Sequence, residues 1–310
     1  MNSPGLGITI IGVLFFAETS LVRGTIIVAD AFDYGPVEVT VGSGLNGGLG
    51  FNGGWHDSFP GGPTPLKYTP AGLSFAGLAT SGGAVTSVGI GFPPASLSIS
   101  RGFGVVLPAT AYGSYLLQPI GLFTAGLALQ DAFGGGPTVG FEAPTQGIGS
   151  PAAAAIVGIQ KSQSGPALIV GQTYLQIFKY QRSGGTYTAT EWLLSEGQFV
   201  TFKAGGLTEQ ELNGASIGTG SANVWSRASV TALRTTGITV VGLYNQNGID
   251  ADPDGIIQDE LRISNASIDD ATPAVVPEPA ALALICSSVL ILHRRRPVRG
   301  AQRPLESAHK

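Results

Sequence analysis

No stretch of a dozen residues between Thr25 and Thr272 carries apolar side chains at the 3.6-residue spacing of an amphipathic helix. What recurs there is a run of five to eight β-branched, aromatic and small residues, closed each time by Gly, Pro, Asn or Ser-Gly. With 47 Gly and 20 Pro in 310 residues, the chain is punctuated too often for long helices. The runs that read as strands include Thr25–Ala29, Gly72–Phe75, Ser96–Ser100, Tyr112–Gln118, Tyr174–Gln181, Thr186–Leu193, Gln198–Phe202, Ser226–Leu233, Ile238–Tyr244 and Ile256–Ile263. Along Tyr174–Gln181, Leu175 and Ile177 fall on one face and Tyr174, Phe178 and Tyr180 on the other. Both faces of that strand are therefore expected to be covered. Short strands at this spacing predict an all-β fold, an antiparallel two-sheet jelly-roll sandwich. The best short helix is Leu207–Leu212, opened by the cap-like Thr208-Glu209-Gln210-Glu211.

Composition narrows the function. A single Cys excludes a disulfide scaffold and a Cys-rich zinc module. The net charge of -4 argues against a nucleic-acid partner, and 43% apolar residues argue against overall disorder. The charges are unevenly placed. Residues 25–275 hold nine Lys/Arg against seventeen Asp/Glu, whereas the last 17 residues hold six bases against the single acid Glu306.

Three segments follow. Residues 1–24 read as a signal peptide: Leu6 to Ala17 is mostly apolar, and such a run of ~12 residues suits a secretory core better than a ~20-residue membrane helix. Residues 25–272 are the β-sandwich body. Residues 273–310 hold Pro277-Glu278-Pro279, an apolar run from Ala280 to Leu292 expected to be a short helix, and the basic cluster Arg294, Arg295 and Arg296. The arginines are expected to stay cytoplasmic by the positive-inside rule.

This tripartite end resembles the PEP-CTERM sorting signal of bacteria. The resemblance implies recognition of Pro277, Glu278 and Pro279 by an exosortase-type membrane protease. It also implies transient membrane insertion by the C-terminal helix, an inner-membrane intermediate, and release to the cell surface or beyond. A second resemblance lies in the body. Asp30-Ala31-Phe32-Asp33-Tyr34, Leu45-Asn46-Gly47-Gly48, Gly53-Gly54-Trp55, Gly171-Gln172-Thr173-Tyr174-Leu175 and Asp259-Glu260-Leu261-Arg262-Ile263 are similar to exported concanavalin-like (laminin-G-like) sandwich domains. That resemblance implies a fold and transfers no function.

The residues offer little catalytic chemistry, and no catalytic residue is assigned. Glycosidases on such scaffolds commonly pair carboxylates along one strand face. The nearest segment, Glu191 to Glu196, has Leu193 where the middle acid belongs, so its acids are expected to be solvent-facing. His56 is the body's only His, so a triad or a multi-His metal site has no partners there. Asp250-Ala251-Asp252-Pro253-Asp254-Gly255 matches the first half of an EF-hand loop, but Leu261 replaces the bidentate acid. Asp250, Asp252, Asp254 and Asp259 are thus candidate ligands for a structural calcium ion, with a polar turn as the alternative. The aromatics that could form a sugar platform are Trp55, Trp192 and Trp225, with Tyr34 and Tyr244, and Trp55 in its glycine-rich loop is the candidate for an exposed stacking ring. The expected function is a non-catalytic, exported surface or matrix protein associating with extracellular polysaccharide. The alternatives are a calcium-dependent carbohydrate-binding module and a carbohydrate-active hydrolase.

Overall fold

A computed structural model of the chain describes residues 25–41, 45–57, 66–87, 96–121, 123–133, 138–144, 153–247 and 255–274. The expected signal segment 1–24, Asp250, Asp252, Asp254 and everything from residue 275 onward lie outside the described residues. With strands numbered in chain order, the nine-stranded sheet runs β14 (Ser226–Leu233), β13 (Thr186–Ser195), β12 (Tyr174–Ser183), β7 (Thr110–Pro119), β16 (Ile256–Ser264), β5 (Ala84–Thr86), β4 (Lys67–Thr69) and β2 (Val39–Thr40), with β1 (Ile26–Asp30) also on β16. The seven-stranded sheet runs β11 (Gln160–Ser164), β10 (Ala153–Val157), β9 (Val139–Pro144), β8 (Phe123–Gln130), β15 (Val240–Asn247), β6 (Ser96–Phe103) and β3 (Phe51–Asp57). Neighbours pair antiparallel throughout, so the chain forms the expected two-sheet antiparallel sandwich.

Alternation fills the space between the sheets. Tyr115, Tyr174, Phe178 and Tyr187 of one sheet meet Leu127, Phe141, Val241 and Leu243 of the other in one core. Phe141 and Phe178 stack with centroids 4.5 Å apart. Gly113 makes room for that ring, because a Cβ there would lie 2.1 Å from Phe178. Each such side chain contributes roughly 1.5–3 kcal/mol by leaving water.

A second core covers the other face of the nine-stranded sheet. Leu116, Leu175, Ile177, Trp192 and Leu194 pack there with Phe199 of helix α1 (Glu196–Ala204), Leu212 of α2 (Glu209–Gly214) and Ile268 of α3 (Ile268–Ala271). Both faces of β12 are therefore buried, as its pattern predicts. Helix α2 begins at the expected cap, with Thr208 Oγ1 accepting from the Glu211 N–H.

Two expected strands are not strands. Gln198–Phe202 is helical, as part of α1. Gln198 Oε1 accepts the Ser195 N–H at 3.0 Å, and its amide donates to Gly218 O and Gly220 O. With Glu196 in the first turn and Lys203 in the last, capping and charge override the β-prone Val200 and Thr201. Gly72–Phe75 is irregular, because the Leu73 N–H bonds the Asp259 carboxylate instead of a neighbouring strand. Among the described residues, no helix is long and apolar enough to cross a membrane. Among the described residues the three helices pack on the nine-stranded sheet and none packs on the outer face of the seven-stranded sheet.

Candidate functional site

Trp55 is not a sugar platform. It is fully buried on β3, and its indole N–H donates to Asp30 Oδ2 at 2.9 Å and Tyr34 Oη at 3.0 Å. Asp30 ends β1 in the opposite sheet, and there its carboxylate meets Arg101 of β6 at 2.8 Å, both side chains being about 98% buried or more. Arg101 also donates to Gly53 O and Asn46 Oδ1, and its guanidinium lies 4.2 Å from the Phe51 ring centre. Tyr34 Oη donates to the same Asp30 oxygen. The Asp30, Tyr34, Asn46, Gly53 and Trp55 of the quoted motifs therefore converge on Arg101 as a lock between the two sheets. Trp192 and Trp225 are core as well, at 0% and 4% exposure.

Asp259 does not fit a calcium ligand either. It is 1% exposed, and its two oxygens accept the N–H groups of Leu73 at 2.7 Å and Glu260 at 2.6 Å. These bonds hold a bulge in β16 where Glu260 takes φ 55° and turns its carboxylate onto Arg262. Burial pushes the Asp259 carboxyl up to about 8, against the pull of its two N–H donors. Among the described residues, no group of three or more His, Cys, Asp or Glu could hold a metal ion.

Glu191 overturns the expectation of solvent-facing acids. It is fully buried between the sheets, with Oε2 accepting from the Gln176 amide and Oε1 without a partner. Gln176 Oε1 in turn accepts from Tyr115 Oη. Burial drives the Glu191 carboxyl well above its ordinary value, which favours its protonated form. Glu196 instead opens α1, accepting the Ala76 N–H at 2.7 Å. The two acids share no site.

The outer face of the seven-stranded sheet is different in character. Core residues Ile99, Leu127, Phe141, Val241 and Leu243 point inward, so the alternate positions point out. The pairing register sets Ser100, Gly242, Ala128 and Gly140 side by side across β6, β15, β8 and β9. Strands lie about 4.8 Å apart, so this row of small residues runs for about 14 Å across the sheet. It ends toward His56 on β3 and toward Ile156 and Lys161 on β10 and β11. The next row is Tyr244, Gly126 and Glu142. Tyr244 Oη donates to Glu142 Oε1 at 2.7 Å over Gly126, and Lys161 Nζ meets Glu142 Oε2 at 2.6 Å. Burial and then the Glu142 charge hold the Tyr244 hydroxyl far above its ordinary value, so it remains a donor. Phe133, 55% exposed, stands at the other margin with its ring against His56 at 5.7 Å. Solvent reaches this rim and not the floor, where Ser100 and Ala128 are 0% and 1% exposed.

Glu142 and Glu191 lie on opposite sides of the seven-stranded sheet, so they cannot flank one glycosidic bond as a hydrolase pair must. The outer face can instead offer hydrogen bonds, one charged pair and aromatic edges. Among candidates weighed from sequence, Tyr244 belongs to it. Glu142, Lys161 and Phe133 went unnoticed, because only the strand register gathers them.

Among solved structures, the chain is similar to lectin I from Ulex europaeus in complex with the methyl glycoside of α-L-fucose (8% identity, 74% of this chain and 96% of that chain covered, TM-score 0.37). It is also similar to winged bean acidic lectin complexed with methyl-α-D-galactose (10% identity, 62% and 91% covered, TM-score 0.35) and to peanut lectin with a 9-mer peptide (8% identity, 66% and 91% covered, TM-score 0.34). No protein-family model matches the chain, and no curated protein matches it.

Proposed function

We propose that this chain is a non-catalytic protein that binds extracellular polysaccharide at the rim of the outer face of its seven-stranded sheet. The observation that carries the reading is the rim of that face, where the Glu142–Lys161 pair and the 55% exposed Phe133 beside His56 meet solvent. A carboxylate held at the margin accepts sugar hydroxyls as charge-assisted hydrogen bonds. Phe133 supplies an apolar ring surface for the C–H face of a sugar.

The test is affinity electrophoresis of the full chain through gels holding soluble polysaccharides. Retardation by at least one polysaccharide is expected, and free migration in all of them would contradict the reading. Loss of retardation in chelator, restored by calcium, would favour the calcium-dependent alternative with Asp250, Asp252 and Asp254 as ligands.

Delivery to the cell surface is proposed from the sequence motifs at the two ends. Replacing Pro277, Glu278 and Pro279 with Ala is expected to leave full-length chain in the membrane fraction of an exosortase-bearing host. Unchanged processing would remove the sorting reading and leave the binding face untouched.

A further inference from the structure

Five connections meet at one end of the sandwich, at residues 104–109, 131–133, 158–159, 184–185 and 234–239. Hydrogen bonds tie them together: Arg182 N to Ala109 O, Arg234 N to Gly185 O, Gly158 N to Thr138 O, and Thr239 Oγ1 to Asp131 O. This end exposes apolar tips that no core requires. Val106 and Ile159 are each 96% exposed and Leu233 is 82% exposed. Between the sheets the same end opens into a groove of about 360 Å³, walled by Phe103, Val105, Leu107 and Ile238, with Arg182 on its lining. The hydroxyls of Tyr180 and Tyr187 are turned onto Pro108 O and Thr236 O, so these residues show the groove mainly ring surface.

The charge at this end is cationic. Arg182 and Arg234 stand here, and among the described residues neither is in a salt bridge. Residues 25–275 hold nine bases against seventeen acids, yet these five connections contain one acid, Asp131. Exposed apolar tips beside unpaired cations fit a surface that is apolar below and anionic at its boundary. They do not fit an end-to-end second copy, which would set Arg182 and Arg234 against like charges.

We propose that this end docks on an anionic lipid surface. Val106, Ile159 and Leu233 enter the boundary between headgroups and acyl chains, Arg182 and Arg234 sit at the level of the lipid phosphates, and the groove receives part of a lipid. Docking at the sandwich end leaves the Glu142–Lys161 side of the outer rim free to hold polysaccharide, and each proposal has its own readout.

The test uses the full chain with Cys286→Ser and one new thiol, V106C, I159C or, away from this end, V37C, each carrying an environment-sensitive fluorophore. Val37 is 64% exposed, which makes it a fair control. With phosphatidylglycerol vesicles, the probes at 106 and 159 are expected to shift to the blue and the probe at 37 to stay unchanged. Adding R182Q and R234Q should raise the lipid needed for the shift roughly tenfold at low salt, and neutral phosphatidylcholine vesicles should give little shift. Vesicle binding through the basic C-terminus alone would bring the protein down with the vesicles and leave the probes at 106 and 159 unchanged. That result would overturn the proposal. A shift that grows with protein concentration in the absence of lipid would overturn it in favour of a second copy.

Discussion

Replacing Arg101 with Met is expected to destabilise the protein by about 3–5 kcal/mol, the usual cost of leaving one buried charge without its partner. Arg101 is 1% exposed and Asp30 is 2% exposed. Without the guanidinium, Asp30 keeps the Tyr34 and Trp55 donors and the Phe32 N–H but loses its counter-charge. Gly53 O and Asn46 Oδ1 lose their donor at the same time. Because Asp30 and Arg101 belong to opposite sheets, the loss loosens the sandwich itself. At about 2–4 °C per kcal/mol for a domain of this size, the melting midpoint should fall by roughly 10 °C. The double variant D30N/R101M should recover part of the loss, since it leaves no bare charge. A fall of under 1 kcal/mol for R101M would show that the lock is not a stabilising contact.

The second large effect is on pH dependence. The Asp259 carboxyl is pushed up to about 8 in the folded chain and that of Glu191 well above the usual carboxylate range, in both cases chiefly by burial. A folded-state value above the unfolded one means that the native chain holds a proton the unfolded chain has lost. The resulting stability is full below about pH 4 and is lost as pH rises through the folded values, at about 1.4 kcal/mol per pH unit for each group. The melting midpoint is therefore expected to be higher at pH 5 than at pH 8, by roughly 10 °C or more. Glu191→Gln keeps an acceptor for Gln176 and removes the titration. It should match the parent at pH 5, exceed it at pH 8 and flatten the slope. A midpoint that climbs from pH 5 to pH 8 would show that these acids are ionised in the fold.

The strands were legible where side chains alone decide them. Tyr174–Ser183 and Thr186–Ser195 alternate between two packed faces, and that pattern is local. Helix α1 was missed because Val200 and Thr201 weigh toward strand, while the deciding bonds from Gln198 reach residues 20 and 22 positions away. Strand β3 was read as a loop for its glycines. Its place is fixed by pairing with β6 and by the Arg101 bond to Gly53 O. Trp55 looked exposed for the same reason, since its partner Asp30 lies 25 residues back and in the other sheet. The similarity in the motifs around Asp30, Asn46 and Gly53 was visible in the sequence, but not that they meet at one arginine. Of the binding face, only Tyr244 could be singled out. Glu142 and Lys161 are 19 residues apart, and only the turn from β10 to β11 sets one against the other.

The most direct test of the binding face is a titration of the retained polysaccharide into the full chain, compared with Phe133→Ala and Glu142→Gln. Phe133 is 55% exposed, so truncating it removes the ring surface at the rim and leaves the core as it is. Removing the Glu142 charge takes away a hydrogen bond worth about 1.5–3 kcal/mol to a bound hydroxyl. Both variants are predicted to bind at least about tenfold more weakly, with melting midpoints close to the parent's. Parent-like affinity in both would place the polysaccharide elsewhere on the protein.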